Sequence, residues 1–424
     1  MLARIAALAL ALGTAAAQQA PFAPAPPALG PHLPRDPAPS LAGDSSTPPP
    51  NMTLYPLSVG AGPRVALTFF SDGYTAPQEA RFVADARALT AAVLDDGGAF
   101  GHVRDLVDVW AVFVPSEHEG LGKDAPLEGA PFGLYRHGPE LRGVYPAYPG
   151  RARAACDYWR GAGTGGCDQA ILLGNDGLYG GLGGEFTVIT ASAENGAQVL
   201  RHELGHSLIP VGEEYDGGEV YSGVNAERAE NIQQLKWAAF LDAAPRIEDA
   251  KVPLQAYPWH DLDGGAWSAA FTSSGAGYTS ALVRLSLSSI PRSAHLLVAL
   301  NGVALAMHWA DGSRDRRWVQ VELPFGLAPG SWNVTVALTA EGRAAEAGQG
   351  GKMISSFEVI EYAEGFRKGG VGAYPTYDVR GHMTLRPTNE ECLMRDVTYP
   401  NFCPVCAHGL RAALLKRIEK KKDA

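Results

Sequence analysis

His202 and His206 stand four residues apart, and that spacing fixes both a local conformation and what must surround it. In an α-helix, residues i and i+4 lie on one face, so the two imidazoles reach one point about a turn apart. Asn195, with Gln198 three residues later, resembles a capping box that opens such a helix ahead of Val199 and Leu200. Pro210 disfavours helical backbone at Ile209. The helix should therefore stop there, and the chain should turn back past the histidines carrying Glu213, Glu214 and Tyr215.

The sequence before this helix supplies a surface for it to pack on. Val65 to Phe70 is an apolar run of buried-strand type, Asp72-Gly73-Tyr74 reads as a turn, and Pro77 to Leu94 carries a helical period. Val107 to Val114, Gln169 to Leu173 and Phe186 to Thr190 are further strands, the last following a Gly-rich connection that contains Tyr179-Gly180-Gly181. Strand, helix, strand in this order predicts an α/β layer with the histidine helix packed behind a sheet. Residues 115–168 are rich in Gly, Pro and Tyr without a period and are expected to form a long loop region.

From about residue 251 to 361 the period changes to two. Ala281 to Ser286, His295 to Leu300, Trp318 to Leu323 and Trp332 to Ala337 alternate between turns, which suits a β-sandwich with one polar face on each strand. A chain of 424 residues exceeds what one core usually serves, so two folded units are expected. The change of period places boundaries near 250 and 361, dividing the chain into 53–250, the β-rich 251–361 and 362–424.

Residues 1–17 combine Arg4, an Ala/Leu-rich centre and Ala15-Ala16-Ala17, the pattern of a signal peptide, and the apolar run is too short to span a bilayer. Secretion follows as an expectation. Residues 18–52 are dominated by Pro, Ala and Ser and read as a disordered leader. A net charge of −10, with only the terminal Lys416 to Lys422 run basic, argues against nucleic acid and membrane as partners. In an oxidising compartment Cys156 and Cys167 should pair, as should two of Cys392, Cys403 and Cys406. Cys403-Pro404-Val405-Cys406 also has the spacing of a metal or redox motif. Asn51 and Asn333 head glycosylation acceptor triplets if the host is a eukaryote.

His202-Glu203-Leu204-Gly205-His206 is the pattern in which two histidines hold a zinc ion. Glu203, beside the first ligand, is then placed to take a proton from a zinc-activated water and pass it to a leaving amine. Catalytic zinc takes three protein ligands. Glu213 is the first candidate for the third and Glu214 its competitor, since spacing does not separate them. Tyr215 belongs either to the core or to the site, where its phenol could donate to an oxyanion. By ordinary residue frequencies the pentapeptide arises by chance in about one or two chains of this length per hundred, but a capped helix and a nearby acidic pair seldom accompany it.

These residues, with Glu213-Glu214-Tyr215 following, resemble the IgA peptidase family of zinc metallopeptidases. Asp72-Gly73-Tyr74, Val109 to Val112 leading to Pro115-Ser116 and Gly120, Lys236-Trp237, Arg386-Pro387 and Cys392-Leu393-Met394-Arg395 are similar to that family's blocks in the same order. The resemblance implies a metzincin-like α/β (α+β) fold built from 53–250 and 362–424, with 251–361, which falls between the family's blocks, as an inserted β-sandwich accessory domain. It also implies a Zn2+ cofactor, a protein or peptide substrate, and Met394 as a methionine turn beneath the metal. Two positions depart from the metzincin pattern: Ile209 stands where Gly is usual, and Gly212 where His or Asp is. Competing functions are a glycan- or protein-binding protein with a vestigial zinc site, its ligand held by the inserted β-domain, and a zinc hydrolase of another amide.

Overall fold

The computed structural model describes residues 44–422 except 96, 141–142, 162–165, 219–220, 276 and 349. The expected signal peptide at 1–17 and residues 18–43 of the expected leader lie outside the described residues. The last part of the leader does make contacts. The Asp44 carboxylate accepts the backbone N–H of Gly150 at 3.0 Å and of Arg151 at 3.1 Å, in the first turn of the helix Pro149–Gly161.

The fold is mixed α/β and dominated by sheets. Six strands form the first sheet: β1 (Thr53–Ser58), β2 (Val65–Asp72), β3 (Val107–Phe113), β4 (Gln169–Gly174), β5 (Gly181–Leu182) and β6 (Thr187–Thr190). Their spatial order is β1-β3-β2-β4-β6-β5. The central pairs run parallel and the two edge strands antiparallel. Strands β2 and β4 are buried along their whole length, as an apolar run covered on both faces should be. On one face lie α1 (Glu79–Leu94) and the histidine helix Gly196–Leu208, whose Leu89, Val93, Val199, Leu200 and Leu204 share a core with Leu67, Phe69 and Ile171.

On the opposite face, where only loop was expected, stands α2 (Pro149–Gly161). Its buried face is small, consisting of Pro149, Ala152, Ala155 and Cys156, so no strong apolar period marks it in the sequence. The expected Cys156–Cys167 disulfide closes its end. Asp72-Gly73-Tyr74 organises the surrounding loops. The Asp72 carboxylate accepts from Phe132 N at 2.7 Å and Leu134 N at 3.3 Å, while Gly73 (φ +75°) lies so close to Gly120 that a Cβ would sit 2.3 Å from its carbonyl oxygen.

Within 251–361 the predicted strands form at Tyr278–Ser288, Leu296–Leu300, Arg316–Leu323 and Gly330–Leu338. They build two antiparallel sheets, with Ala250–Ala256, Trp267–Ser273 and Met353–Ala363 as further members. Leu285, Leu287, Phe357 and Val359 of one sheet share a core with Phe271, Val298, Trp332 and Val336 of the other. One expectation needs correction, because Tyr278–Ser288 and Met353–Ala363 are buried on both faces. Their polar face meets the first unit instead of water. Arg284 there reaches Glu390 and Glu358 pairs with Arg395 at 3.3 Å, while Ser286 accepts from Arg316 on the neighbouring strand of its own sheet. The chain ends in the expected helix, Pro404–Lys422, with its basic residues in the last turn.

Candidate metal centre

The histidine helix, α3 (Gly196–Leu208), begins and ends where Asn195 and Pro210 indicate, and Ile209 is extended (φ −112°, ψ 141°). The capping box does not form as expected. Asn195 instead donates through Nδ2 to Asp315 Oδ2 at 2.6 Å and to the Arg316 carbonyl at 2.9 Å. Asp315, on the turn before Arg316–Leu323, also accepts from Ser192 Oγ at 2.7 Å and Tyr179 N at 2.8 Å. The β-rich part therefore secures the start of α3, a contact that local sequence could not reveal. At the other end Arg417 donates to the Ser207 carbonyl at 2.9 Å, supplying a cation where a helix presents unpaired carbonyls.

Past the turn, the returning chain brings Glu213 onto both histidines. His202 Nε2 and His206 Nε2 are 3.2 Å apart, and Glu213 oxygens lie 3.6 Å from the first and 3.2 Å from the second. Tetrahedral zinc with arms of about 2.0–2.1 Å requires ligand atoms roughly 3.3–3.4 Å apart. Two imidazole nitrogens and one carboxylate at these separations fit that requirement. Burial alone would lower the His202 imidazole, but its hydrogen bond to Glu213 and the charges of Glu203 and Glu213 prevail and push it up to about 9. Burial likewise opposes ionisation of Glu213, yet His206 and His202 hold it well below the usual carboxylate range. The point where the three side chains meet is therefore suited to a cation.

Glu214 faces the other way. It is fully buried, accepts from Asn225 Nδ2 at 2.8 Å, and lies among Cys392, Cys403 and Cys406. Adjacent residues on an extended turn point to opposite sides, so Glu213 alone of the acidic pair joins the histidines. Tyr215 is half-buried, and its carbonyl accepts the Tyr221 hydroxyl at 2.7 Å. The Tyr221 hydroxyl in turn accepts from Gly218 N at 2.7 Å, placing a second phenol on the same turn that the sequence reading did not single out.

Behind α3, a Cβ built on Gly205 would come within 3.0 Å of Met394 Sδ and 3.1 Å of Phe402. Gly205 thus lets Met394 pack directly beneath the stretch between the two histidines. The backbone joins in as well, with Glu214 N donating to the Met394 carbonyl at 3.2 Å. In front of α3, a Cβ on Gly183, just beyond edge strand β5, would lie 2.6 Å from His206 Cβ and 2.9 Å from Glu203 Oε2. The edge strand therefore passes directly beside the Glu203 carboxylate. Ser207 holds it there, accepting from Gly184 N at 3.2 Å and Thr187 Oγ1 at 2.8 Å.

Residues 56–247 match the family model of the IgA Peptidase M64. Over that segment, somewhat under half of its length, the chain is similar to the IgA peptidase M64 family. The match supports a peptidase of a metallopeptidase family, whose substrates are peptides. The matched residues contain α3, Glu213 and the first sheet except the start of β1, and stop before the two antiparallel sheets. No curated protein matches the chain. Among solved structures, a family 35 carbohydrate binding module from an environmental isolate is similar at 17% identity and a TM-score of 0.16, over 23% of this chain and 69% of its own. The family 35 module from Clostridium thermocellum is similar at 12% identity and 0.16, over 26% and 91% respectively. Likeness at these scores carries no argument for this chain.

Proposed function

We propose that this chain is an exported zinc endopeptidase in which His202, His206 and Glu213 hold the metal and Glu203 is the general base. The observation that carries the proposal is the convergence of the three ligand atoms within 4.8 Å of one another, with the Glu203 carboxylate beside the same helix turn and next to Gly183 on the edge of the sheet. When bound, zinc supplies a Lewis acid that polarises a peptide carbonyl and lowers the pKa of water toward neutrality.

The chain's own residues do the rest. Glu203 takes the proton of the attacking water and returns it to the departing amine, which needs a carboxylate within hydrogen-bond reach of both. As the edge strand of the sheet, β5 is the place for an extended peptide to add as a further strand, and a substrate so placed would run its scissile bond past Glu203. Tyr215 is the proposed oxyanion donor. His202 is oriented by the Leu393 carbonyl and supported by Met394, which takes the place of a methionine turn in a metzincin-like fold.

Residues 251–361 act in this reading as an inserted β-sandwich, and Glu203 is intact, which favours an enzyme over a binding protein with a vestigial site. Export rests on the pattern of residues 1–17, and among the described residues no helix is long and apolar enough to cross a membrane. The test is hydrolysis of an unstructured protein, short peptides and small amides side by side. Internal cleavage of the protein chain is the expected result, and turnover confined to small amides would overturn the endopeptidase assignment.

A further inference from the structure

Directly behind the histidine helix lies a second group of side chains with the chemistry of a metal site. One carboxylate oxygen of Glu214 and the sulfurs of Cys392, Cys403 and Cys406 lie within 4.8 Å of one another. All four residues are at most 1% exposed. Cys406 Sγ is 3.5 Å from Glu214 Oε1, and Cys403 N donates to Cys392 Sγ at 3.4 Å. Glu214 Oε1 is served by Asn225, but Oε2 is buried and meets no hydrogen-bond donor among the described residues. A carboxylate oxygen held so is costly unless a donor or a cation faces it.

Pairing two of the three thiols, as the sequence suggests, would leave the third thiol and the carboxylate together with that oxygen still unserved. A cation shared by all four groups removes both problems. We propose that Cys392, Cys403, Cys406 and Glu214 form a second metal site, for a thiolate-preferring divalent cation of the zinc type. Tetrahedral zinc with sulfur arms of about 2.3 Å sets ligand atoms roughly 3.8 Å apart, well inside the observed spread. Three thiolates and a carboxylate carry the same formal charge as a four-thiolate structural site. Cys403 and Cys406 come from the start of the helix Pro404–Lys422, where unpaired backbone N–H groups favour negative sulfur.

Four protein ligands leave no open position, so the site is structural and not catalytic. Its place in the chain gives it a task. Glu214 adjoins Glu213, and Cys392 lies two residues before Met394, so one ion ties the metal-facing turn to the segment under the histidines across the 177 intervening positions from 215 to 391. The inference does not depend on the peptidase reading, because it uses none of the groups that face His202 and His206.

The full-length protein, prepared with reductant and without chelator, is analysed for zinc and then reconstituted with Co(II). Two zinc per chain are expected, falling to one in His206→Ala and to one in Cys406→Ser. The cobalt protein should show sulfur-to-metal charge-transfer absorption, retained in His206→Ala because the histidine site contains no sulfur. The wild-type spectrum decides the matter even if Cys406→Ser fails to fold. One zinc per chain that His206→Ala abolishes, a cobalt spectrum without a thiolate band, or a disulfide among the three cysteines by mass spectrometry would overturn the proposal.

Discussion

His202 Nδ1 lies 3.0 Å from the carbonyl oxygen of Leu393, a residue 191 positions further along the chain. A ring N–H donated to a carbonyl fixes the tautomer in which Nε2 carries the lone pair, and Nε2 is the atom turned toward His206 and Glu213. The C-terminal part of the chain thus sets the protonation pattern of a ligand in the first part. Met394, the next residue, packs on Gly205 and extends the same support.

Met394→Ala should therefore affect more than packing. Removing a fully buried methionine side chain costs about 3 kcal/mol of stability, and disturbing the Leu393 carbonyl should weaken zinc roughly tenfold. Urea denaturation and competition with a chelating dye measure the two effects. A stability loss with unchanged zinc affinity would reduce Met394 to a core residue.

Gly183→Ala tests the approach of the edge strand. The added methyl meets His206 Cβ and Glu203 Oε2 inside contact distance, so either the strand or the carboxylate must shift. Displacement of a general base by about an ångström lowers kcat roughly 100-fold, while zinc content should stay near one equivalent at the histidine site. Unchanged kcat would mean that the strand yields at no cost.

The contact between the two parts of the fold should titrate. Burial opposes ionisation of Glu390, but Arg284 and Arg395 outweigh it and hold the carboxyl down at about 2. A depressed folded-state pKa contributes stability that is present above the ordinary value of 4.5 and is lost as pH falls toward about 2. With 23% of the side chain still exposed, that contribution is roughly 2 kcal/mol. Glu390→Gln should flatten the acid limb of the stability profile between those values, and an unaltered limb would assign it to other carboxylates.

Asp315→Ala removes the acceptor for Tyr179 N, Ser192 Oγ and Asn195 Nδ2 in one step. Leaving these donors buried costs about 3 kcal/mol, and hydrogen exchange should rise first in the opening turn of α3. Protection lost uniformly over the chain would contradict a local role.

The strands and helices with a strong period were legible in the sequence. Val65–Asp72, Glu79–Leu94 and the histidine helix all lie where apolar spacing and Pro210 put them. The helix Pro149–Gly161 was not legible, because an alanine face gives little amplitude and its first turn is served by Asp44, 105 residues before its first residue. The candidate ligands His202 and His206 followed from spacing alone. Glu213 and Glu214 could not be separated that way, since the choice depends on which side of a turn each faces. Nor could Asp315 or Arg284 be found, because each acts through a partner brought near only by the docking of the β-rich part.

The most direct test of the central claim is zinc content measured together with casein cleavage, comparing the wild type with Glu203→Ala. The account predicts that the histidine site holds zinc in both proteins and that only the wild type cleaves. Wild-type protein without zinc at that site, or cleavage undiminished in Glu203→Ala, would contradict it.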